Sequence, residues 1–422
     1  MRHHLLVSLA ALCLGCGDRH SDGIEVTLPI SVLGAEARVL RTQLARFAKE
    51  HPEIRVVQRD TPDAADQRHQ LYVQWLNAGA SDPDILQLDV VWTPEFAAAG
   101  WILPLERFAP DTAAFFSATI EANRWRDTLF ALPWFVDVGM LYWRTDLMRA
   151  PPATFDELRA IGGAARESGK VRHGFVWQGA RYEGLITTFL EYLGGHGGTI
   201  MEGGRVVVAS PAGLRALGEM IGEIYESAIV PRAVLTWHEE ETRFAFQNGE
   251  TALMRNWPYA YGLMEDSAQS AIAGRFAVAP MPAAPGGRST AAIGGAQFAI
   301  NRNSEHPEAA WKVIEYLTRP EQMVERAKVV GQFPTRPALY DEPALARALS
   351  VPPADARRII ERAVPRPVTP VYTQLSEILQ IHLHRALTRQ RSPARALEEA
   401  QAEMQRLLDD AGLGAGSEHA AR

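Results

Sequence analysis

Two carboxylates occupy positions where acidic side chains could do chemistry. Asp89 ends an apolar run that begins at Ile85, and Asp137 lies inside the apolar segment 131–144. Open α/β sheets bind ligands at the carboxyl ends of their strands, and a buried carboxylate needs a partner. Such acids could accept hydrogen bonds from ligand hydroxyls, or could flank the scissile bond in a glycosidase. The structural alternatives are a helix cap for Asp89 and an ion pair for Asp137.

An aromatic ring and a guanidinium group lie beside prolines. Trp257 precedes Pro258, which restricts the backbone conformation of the tryptophan, and Arg366 lies between Pro365 and Pro367. A ring on a stiff loop is suited to stacking, and a fixed guanidinium offers a rigid fork of donors. Packing in the core is the structural alternative for Trp257.

Composition and charge limit the possible classes of protein. The chain has 422 residues, of which 47% are hydrophobic and 22% are charged, as is ordinary for a globular protein. This length suggests two domains or one large bilobed unit. The net charge of −7 argues against nucleic acid as a partner.

Several catalytic and metal-binding patterns are missing. Both cysteines, Cys13 and Cys16, lie near the N-terminus, so residues 17–422 contain no thiol nucleophile or thiolate metal ligand. The sequence has no GxSxG or HExxH pattern, and the run 238–241 lacks the second histidine that a zinc site of this type needs. We therefore expect no catalytic residue, no metal and no cofactor.

The first 16 residues have the features of an export signal. A start with one firm positive charge precedes an apolar run over residues 5–16, which is too short to span a bilayer. The run ends at Gly15 and Cys16, which resemble the lipobox of bacterial lipoproteins, although Cys13 stands where that motif usually has leucine. The resemblance implies lipidation of Cys16, a signal and tether over 1–22, and an exported protein anchored to the membrane. An ordinary cleaved signal is the alternative.

The body begins with alternating strand and helix patterns. Strand-like runs at 24–30, 54–57 and 84–91 alternate with amphipathic helices at 36–50 and 64–79, which predicts a parallel sheet with helices on both faces. Segment 131–144 is predicted to be extended. Later helices are predicted to begin at Thr154–Glu157, where a capping pattern occurs, and to cover 307–318, 372–388 and 393–412.

Six segments in order resemble the family 1 extracellular solute-binding proteins of sugar ABC importers, with the trehalose/maltose-binding proteins as the nearest subgroup. The segments are 81–89, 131–144, 174–179, 255–262, 293–295 and 363–367. The resemblance implies a type II periplasmic-binding-protein fold of class α/β, with two lobes and a cleft between them. Each lobe would be a sheet flanked by helices.

The same resemblance implies lobe boundaries, a ligand site and partners. It places the N-terminal lobe at 24–131 plus 286–335, the C-terminal lobe at 132–285 plus 336–415, and a flexible tail at 416–422. The expected partners are a sugar, the ABC permease subunits with their ATPase, and a lipid anchor, and the protein is expected to be a monomer. The implied ligand-binding residues are Glu36, Arg68, Asp89, Phe135, Asp137, Trp257, Tyr259, Gly294, Gly295, Arg366 and Tyr372.

Two positions depart from the pattern of the nearest subgroup. Phe135 stands where the subgroup has tyrosine, and Ala296 follows Gly294 and Gly295 where the subgroup commonly has tryptophan. These changes remove a hydroxyl and an aromatic platform, so they favour a longer or substituted α-glucoside. The function implied is capture of a trehalose- or maltose-like di- or oligosaccharide for a permease. An exported glycosidase and a sugar-sensing binding protein are the alternatives.

Overall fold

The computed structural model describes residues 23–31, 36–62, 65–349 and 351–415. The predicted signal and tether with Cys16, and the predicted tail over 416–422, lie outside the described residues. Among the helices of the described ranges, none combines the length and the apolar character needed to cross a bilayer.

The strands of the described chain are mostly short and are distributed along its whole length. They are β1 Ile24–Ser31, β2 Ile54–Thr61, β3 Ile85–Asp89, β4 Arg124–Trp125, β5 Thr128–Leu129, β6 Ala131–Val138, β7 Met140–Arg144, β8 His173–Val176, β9 Met201–Glu202, β10 Arg205–Val206, β11 Thr251–Asn256, β12 Phe276–Ala279, β13 Ile293–Ile300 and β14 Phe333–Pro334.

The helices alternate with these strands and dominate the C-terminal third. They are α1 Glu36–Glu50, α2 Ala65–Asn77, α3 Thr93–Ala98, α4 Ser117–Glu121, α5 Phe155–Glu167, α6 Glu183–Gly195, α7 Pro211–Tyr225, α8 Glu239–Gln247, α9 Tyr259–Met264, α10 Pro307–Leu317, α11 Pro320–Val330, α12 Pro343–Ala346, α13 Pro353–Arg362, α14 Tyr372–Leu387 and α15 Pro393–Asp410. The predicted capping pattern at Thr154 is confirmed, because its hydroxyl accepts from the Glu157 backbone N–H and the Glu157 carboxylate accepts from the Thr154 N–H.

The first lobe contains a four-stranded sheet in the order β14-β6-β13-β3, with the parallel pair β1-β2 beside it. The predicted parallel arrangement is correct for β1 and β2, but it is wrong for the main sheet, because β13 runs antiparallel to both β3 and β6. The physical reason is topological. Strand β13 returns from the second lobe late in the chain and enters the sheet in the opposite direction.

The second lobe contains another mixed sheet, in the order β12-β7-β11-β8. Strand β11 is parallel to β8 and antiparallel to β7, which also pairs antiparallel with β12. Helices α6, α7, α14 and α15 pack against one another in this lobe. The predicted α/β fold with two lobes is confirmed.

The chain passes from the first sheet to the second in the middle of segment 131–144, which is predicted to be extended. Strand β6 belongs to the first sheet and β7 to the second, so the passage lies at Gly139. A returning strand runs beside it, because the Gly139 N–H donates to the Ala292 carbonyl (3.4 Å) and Ala292 forms a bridge with Val364. The lobe boundaries given above remain predictions.

A fully buried ion pair lies at this passage. Glu191 of α6 and Arg255 of β11 are both inaccessible to solvent, and two Arg255 nitrogens donate to Glu191 at 2.8 and 2.5 Å. Gln178 accepts from the third nitrogen of Arg255 (3.1 Å), and Glu191 also accepts from the Ala292 N–H (3.3 Å). A Cβ atom on Gly139 would lie 1.7 Å from a Glu191 carboxylate oxygen. The residue at the passage must therefore be glycine for this pair to fit.

We predict that Glu191→Gln lowers the free energy of unfolding by about 3 kcal/mol, because it leaves Arg255 as an uncompensated buried charge. Urea unfolding followed by circular dichroism measures this loss. The control is Glu361→Gln, which removes half of the exposed pair between Arg357 and Glu361 and should change stability by less than about 0.5 kcal/mol. Equal effects of the two changes would show that the buried pair is not specially important.

Candidate ligand-binding cleft

A cleft of about 420 Å³ lies between the two lobes. The first lobe contributes the start of α1, the α2 region, the end of β3 and the start of β13, and the second lobe contributes the starts of α6, α8 and α9. All but one of the residues predicted to bind ligand line this cleft: Glu36, Arg68, Asp89, Phe135, Asp137, Trp257, Tyr259, Gly294, Gly295 and Arg366.

Tyr372 is the exception. Its ring is buried at the start of α14, and it lines a smaller neighbouring cavity of about 220 Å³. Its hydroxyl donates to Glu183 (2.5 Å), as does the hydroxyl of Ser376. In this structure Tyr372 therefore orients a cleft carboxylate and does not line the cleft.

Arg366 connects the two lobes through carboxylates. It donates to Asp89 at the end of β3 (2.9 Å) and to Glu183 at the start of α6 (2.7 Å). Although burial disfavours its charge, Asp89 and Glu183 raise the pKa of Arg366 well above its ordinary value. Asp89 also accepts from the Val91 N–H (3.3 Å). The predicted fixed guanidinium fork is thus present, and it is directed at protein carboxylates.

Trp257 is half-buried and forms part of the cleft wall. The Arg255 guanidinium lies 3.9 Å from the centroid of its ring, so that side of the ring is covered. The indole Nε1 donates to Glu239 (3.4 Å), and a Cβ atom on Gly294 would lie 3.3 Å from the ring. A ligand could stack only on the side of the ring that faces away from Arg255.

Asp137 lacks the ion pair that was its structural alternative, because no salt bridge to it occurs within the described residues. Its Oδ1 atom is buried, and this atom has no hydrogen-bond partner among the same residues. Burial, with a further contribution from Glu36, raises the pKa of Asp137 to about 8, although Arg326 opposes this change. In the ligand-free cleft, Asp137 therefore holds a proton at neutral pH.

Glu36 is buried at the start of α1 and accepts from Gln332 Nε2 (2.6 Å). An acid in the first turn of a helix is favourable in itself, and Glu36 also lines the cleft, so its position at the helix start is compatible with the predicted contact to a ligand.

Gly295 allows two strands to come together at the cleft floor. Its φ angle is +118°, and a Cβ atom there would lie 2.3 Å from the Phe135 carbonyl oxygen. Only glycine fits this conformation at this distance. Gly295 therefore keeps β13 against β6 and places the Phe135 ring in the cleft wall.

Arg68 and Tyr259 are held by neighbouring groups. Arg68 is buried, not solvated as an arginine on a helix usually is. It donates to the Pro62 carbonyl (2.9 Å), and its guanidinium lies 5.5 Å from the centroid of the Trp92 ring. Tyr259 donates its hydroxyl to Glu240 (2.7 Å). Both side chains have defined positions at the cleft.

Sequence reasoning missed most of the second-lobe wall, including Tyr182, Glu183, Thr187, His238, Glu239, Glu240 and Glu241. The run 238–241 was considered only as an incomplete zinc motif. The available signal was its clustering of acids at a helix start, which is where the structure places them. Within the described ranges, no three His, Cys, Asp or Glu side chains are grouped so that they could hold a metal ion.

Two mixed α/β lobes joined by crossing strands, with a polar and aromatic cleft between them, define the class of two-lobed binding proteins. The family model described as "Bacterial extracellular solute-binding protein" matches residues 42–353, and the chain belongs to this family. The predicted family is confirmed, and the protein is an exported solute-binding protein.

Individual relatives agree with this assignment. A protein of Deinococcus radiodurans named "Probable ABC transporter-binding protein" is 35% identical over 84% of this chain and 86% of its own length. The structure of maltose-bound MalE3 from T. maritima is 39% identical, has a TM-score of 0.87, and is matched over 92% of this chain and 100% of its own. The GacH receptor of Streptomyces glaucescens, solved unliganded and with acarbose, is 22% identical over 92% of this chain and 99% of its own, with a TM-score of 0.82, and shows the shared fold.

We predict that Asp137→Asn reduces the pH dependence of stability. Between about pH 4 and pH 8 the folded protein keeps a proton on Asp137 that the unfolded chain releases, so this group's contribution to the free energy of unfolding falls as pH rises. Asparagine does not titrate. The melting temperature of the variant, relative to that of the parent, should therefore be higher at pH 8 than at pH 5, by about 1 °C for each kcal/mol in a chain of this length.

Thermal unfolding at both pH values measures this difference. The control is Asp127→Asn, because Asp127 is exposed and asparagine also tolerates its positive φ angle. The control should follow the parent at both pH values. Parallel pH profiles for Asp137→Asn and the parent would contradict the retained proton.

Proposed function

We propose that the protein is the substrate-binding component of an ABC importer, which captures an α-glucoside di- or oligosaccharide and delivers it to permease subunits and their ATPase. The observation that carries the proposal is the half-buried Trp257 ring in a cleft wall rich in carboxylates. A sugar offers apolar C–H faces to a ring and hydroxyl donors to carboxylates. The names of the Deinococcus radiodurans relative and of maltose-bound MalE3 support the same proposal.

The position after the paired glycines supports a ligand larger than a compact disaccharide. Ala296 lines the cleft and lies opposite Asp89 and Phe135 in the sheet. A small side chain leaves space where the nearest subgroup has an aromatic ring, and Phe135 supplies no hydroxyl. We therefore favour a glucose-containing oligosaccharide, or a substituted disaccharide, over trehalose or maltose itself.

Closure of the lobes follows from a cleft that both of them line. A ligand that contacts both lobes stabilises the closed arrangement more than the open one. We propose that the chain passes between the lobes at Gly139 and around Ala292, and that the protein acts as a monomer.

A glycosidase is the second function to test, because a proton-holding acid such as Asp137 near an ionised acid is also what glycoside hydrolysis requires. The commitment of Asp89 to Arg366 argues against a nucleophilic or basic role for it. Incubation of oligosaccharides with excess protein, followed by a reducing-sugar assay, separates the two functions. Disruption of the neighbouring permease genes separates uptake from sensing.

We predict that Trp257→Ala weakens binding of the best sugar at least about tenfold, because truncation of a buried aromatic anchor commonly costs 2 kcal/mol or more. Calorimetry with trehalose, maltose, maltotriose and longer glucans identifies that sugar and measures the loss. Retained affinity in the variant would assign Trp257 to the core, and binding of amino acids or peptides alone would refute the sugar assignment.

The matched control for this variant is Trp311→Ala. Trp311 lies on α10, away from the cleft, and is also half-buried. Its ring stacks on that of Phe108 (centroid distance 5.1 Å). It should leave affinity within about twofold of the parent, since it touches no cleft residue. Melting temperatures of both variants show whether any loss of affinity reflects a loss of folding.

We predict that Cys16→Ala converts a membrane-attached protein into a freely soluble exported one, because the only proposed lipid attachment site is removed. Fractionation of cells that express the full chain measures this change. The parent should sediment with membranes and the variant should not. If both sediment equally, the lipoprotein proposal is wrong.

A further inference from the structure

A buried cation lies behind the floor of the cleft, at a position that the sequence did not single out. Arg326 of α11 is 1% exposed, and its guanidinium lies 3.8 Å from the centroid of the Trp134 ring and 5.4 Å from that of Phe135. Phe135 lines the cleft, whereas Arg326 does not. Arg326 is therefore separated from the ligand space by a single aromatic layer.

A hydrogen-bonded chain leads from this cation to the cleft. Arg326 Nη2 donates to Gln332 Oε1, and Gln332 Nε2 donates to Glu36 Oε1 (2.6 Å). Because Arg326 is only a donor, it fixes the amide of Gln332 with its oxygen toward the guanidinium and its NH₂ group toward Glu36. Glu36 is therefore held as an acceptor at the cleft surface.

The charges around Arg326 come from three elements. Glu36 lies on α1, Asp137 on β6 and Glu325 on α11, and each favours the charged guanidinium. Burial nevertheless lowers the pKa of Arg326 to about 10. This value is still well above neutral pH, so Arg326 remains a cation beneath two acids of the cleft.

The same cation also acts on the pKa of Asp137. Glu36 and Asp89 favour its protonated form, whereas Arg326 and Arg255 favour the carboxylate. Arg255 is already committed to a bidentate pair with a buried glutamate. Of the two cations that act on Asp137, Arg326 is the one that also orients a cleft acid through a hydrogen-bonded chain.

We propose that Arg326 and Gln332 are positioning residues, which hold Glu36 as an oriented acceptor and keep a positive charge behind the cleft floor, so that the floor selects ligands rich in hydroxyl donors. The assignment of the ligand class rests on the proposed function. The competing explanation is that Arg326 only fills the core above Trp134, in which case its charge and its link to Gln332 would not affect the cleft.

The first experiment needs no ligand. The side-chain carboxyl ¹³C resonance of Asp137 is titrated by NMR in the parent, Arg326→Met, Arg326→Lys and the control Arg336→Met. Arg336 also lies over an aromatic ring, Phe115 (4.3 Å), but it does not line the cleft and is not among the groups that shift the pKa of Asp137. We expect the Asp137 midpoint to rise by about 0.5 pH unit or more in Arg326→Met, and to stay near the parent value in Arg326→Lys and in the control.

The second experiment measures binding of maltose and of maltotriose by calorimetry in the same proteins and in Gln332→Leu. This variant keeps the Arg326 charge but cuts the chain to Glu36, so it should weaken binding about tenfold, as expected for the loss of an oriented charged hydrogen bond. Arg336→Met should bind maltose as the parent does. Circular dichroism and melting temperatures identify any variant that fails to fold, and Arg326→Lys provides the conservative replacement if Arg326→Met does so.

The results distinguish a failure of the proposed sugar function from a failure of the roles assigned to Arg326 and Gln332. If the parent binds neither maltose nor maltotriose, the proposed sugar function loses support, but the Asp137 titration still decides the role of Arg326. An unchanged Asp137 midpoint in folded Arg326→Met would overturn the electrostatic part of the proposal. Unchanged maltose affinity in folded Gln332→Leu, with a parent that binds, would overturn the positioning of Glu36.

Discussion

The buried pair of Glu191 and Arg255 is the constraint on which the cleft depends. It lies where the chain passes between lobes, and it fits only because Gly139 has no side chain. Glu191 also accepts from the Ala292 backbone on the returning strand, so one carboxylate joins a helix, a strand and the passage between lobes. The Arg255 guanidinium also lies against the ring of Trp257. The Glu191–Arg255 pair therefore stabilises both the passage between the lobes and the aromatic wall of the cleft.

The acids of the cleft differ in their hydrogen-bond partners. These differences determine which acid is available to a ligand. Asp89 and Glu183 are committed to Arg366, and Glu36 is held by Gln332. Asp137 differs from these acids, because its Oδ1 atom is buried and has no hydrogen-bond partner among the described residues. A buried carboxyl group without a partner is costly, so a ligand hydroxyl that completes its hydrogen bonding would be favoured. Asp137 is thus the cleft acid whose hydrogen bonding a ligand could complete.

Much of the secondary structure could be predicted because it follows from local patterns. Helix α1 has the predicted bounds, and the Thr154 cap is formed as expected. The direction of pairing could not be predicted in the same way, since β13 meets β3 only after the chain has passed through the other lobe. The break at Gly139 was also missed, because the run on both sides of it is apolar apart from Asp137.

The sequence by itself determined the family, the fold class and ten of the residues that line the cleft, because short segments in a fixed order carry that information. Only the tertiary structure decided what those residues do. It directs Tyr372 toward Glu183 and away from the cleft, and it places Arg326 and Gln332 behind the acids. These roles depend on contacts between segments far apart in the chain, and on burial, which sets the charge of a carboxyl group such as Asp137. Neither the long-range contacts nor the burial can be predicted from the local pattern of a sequence.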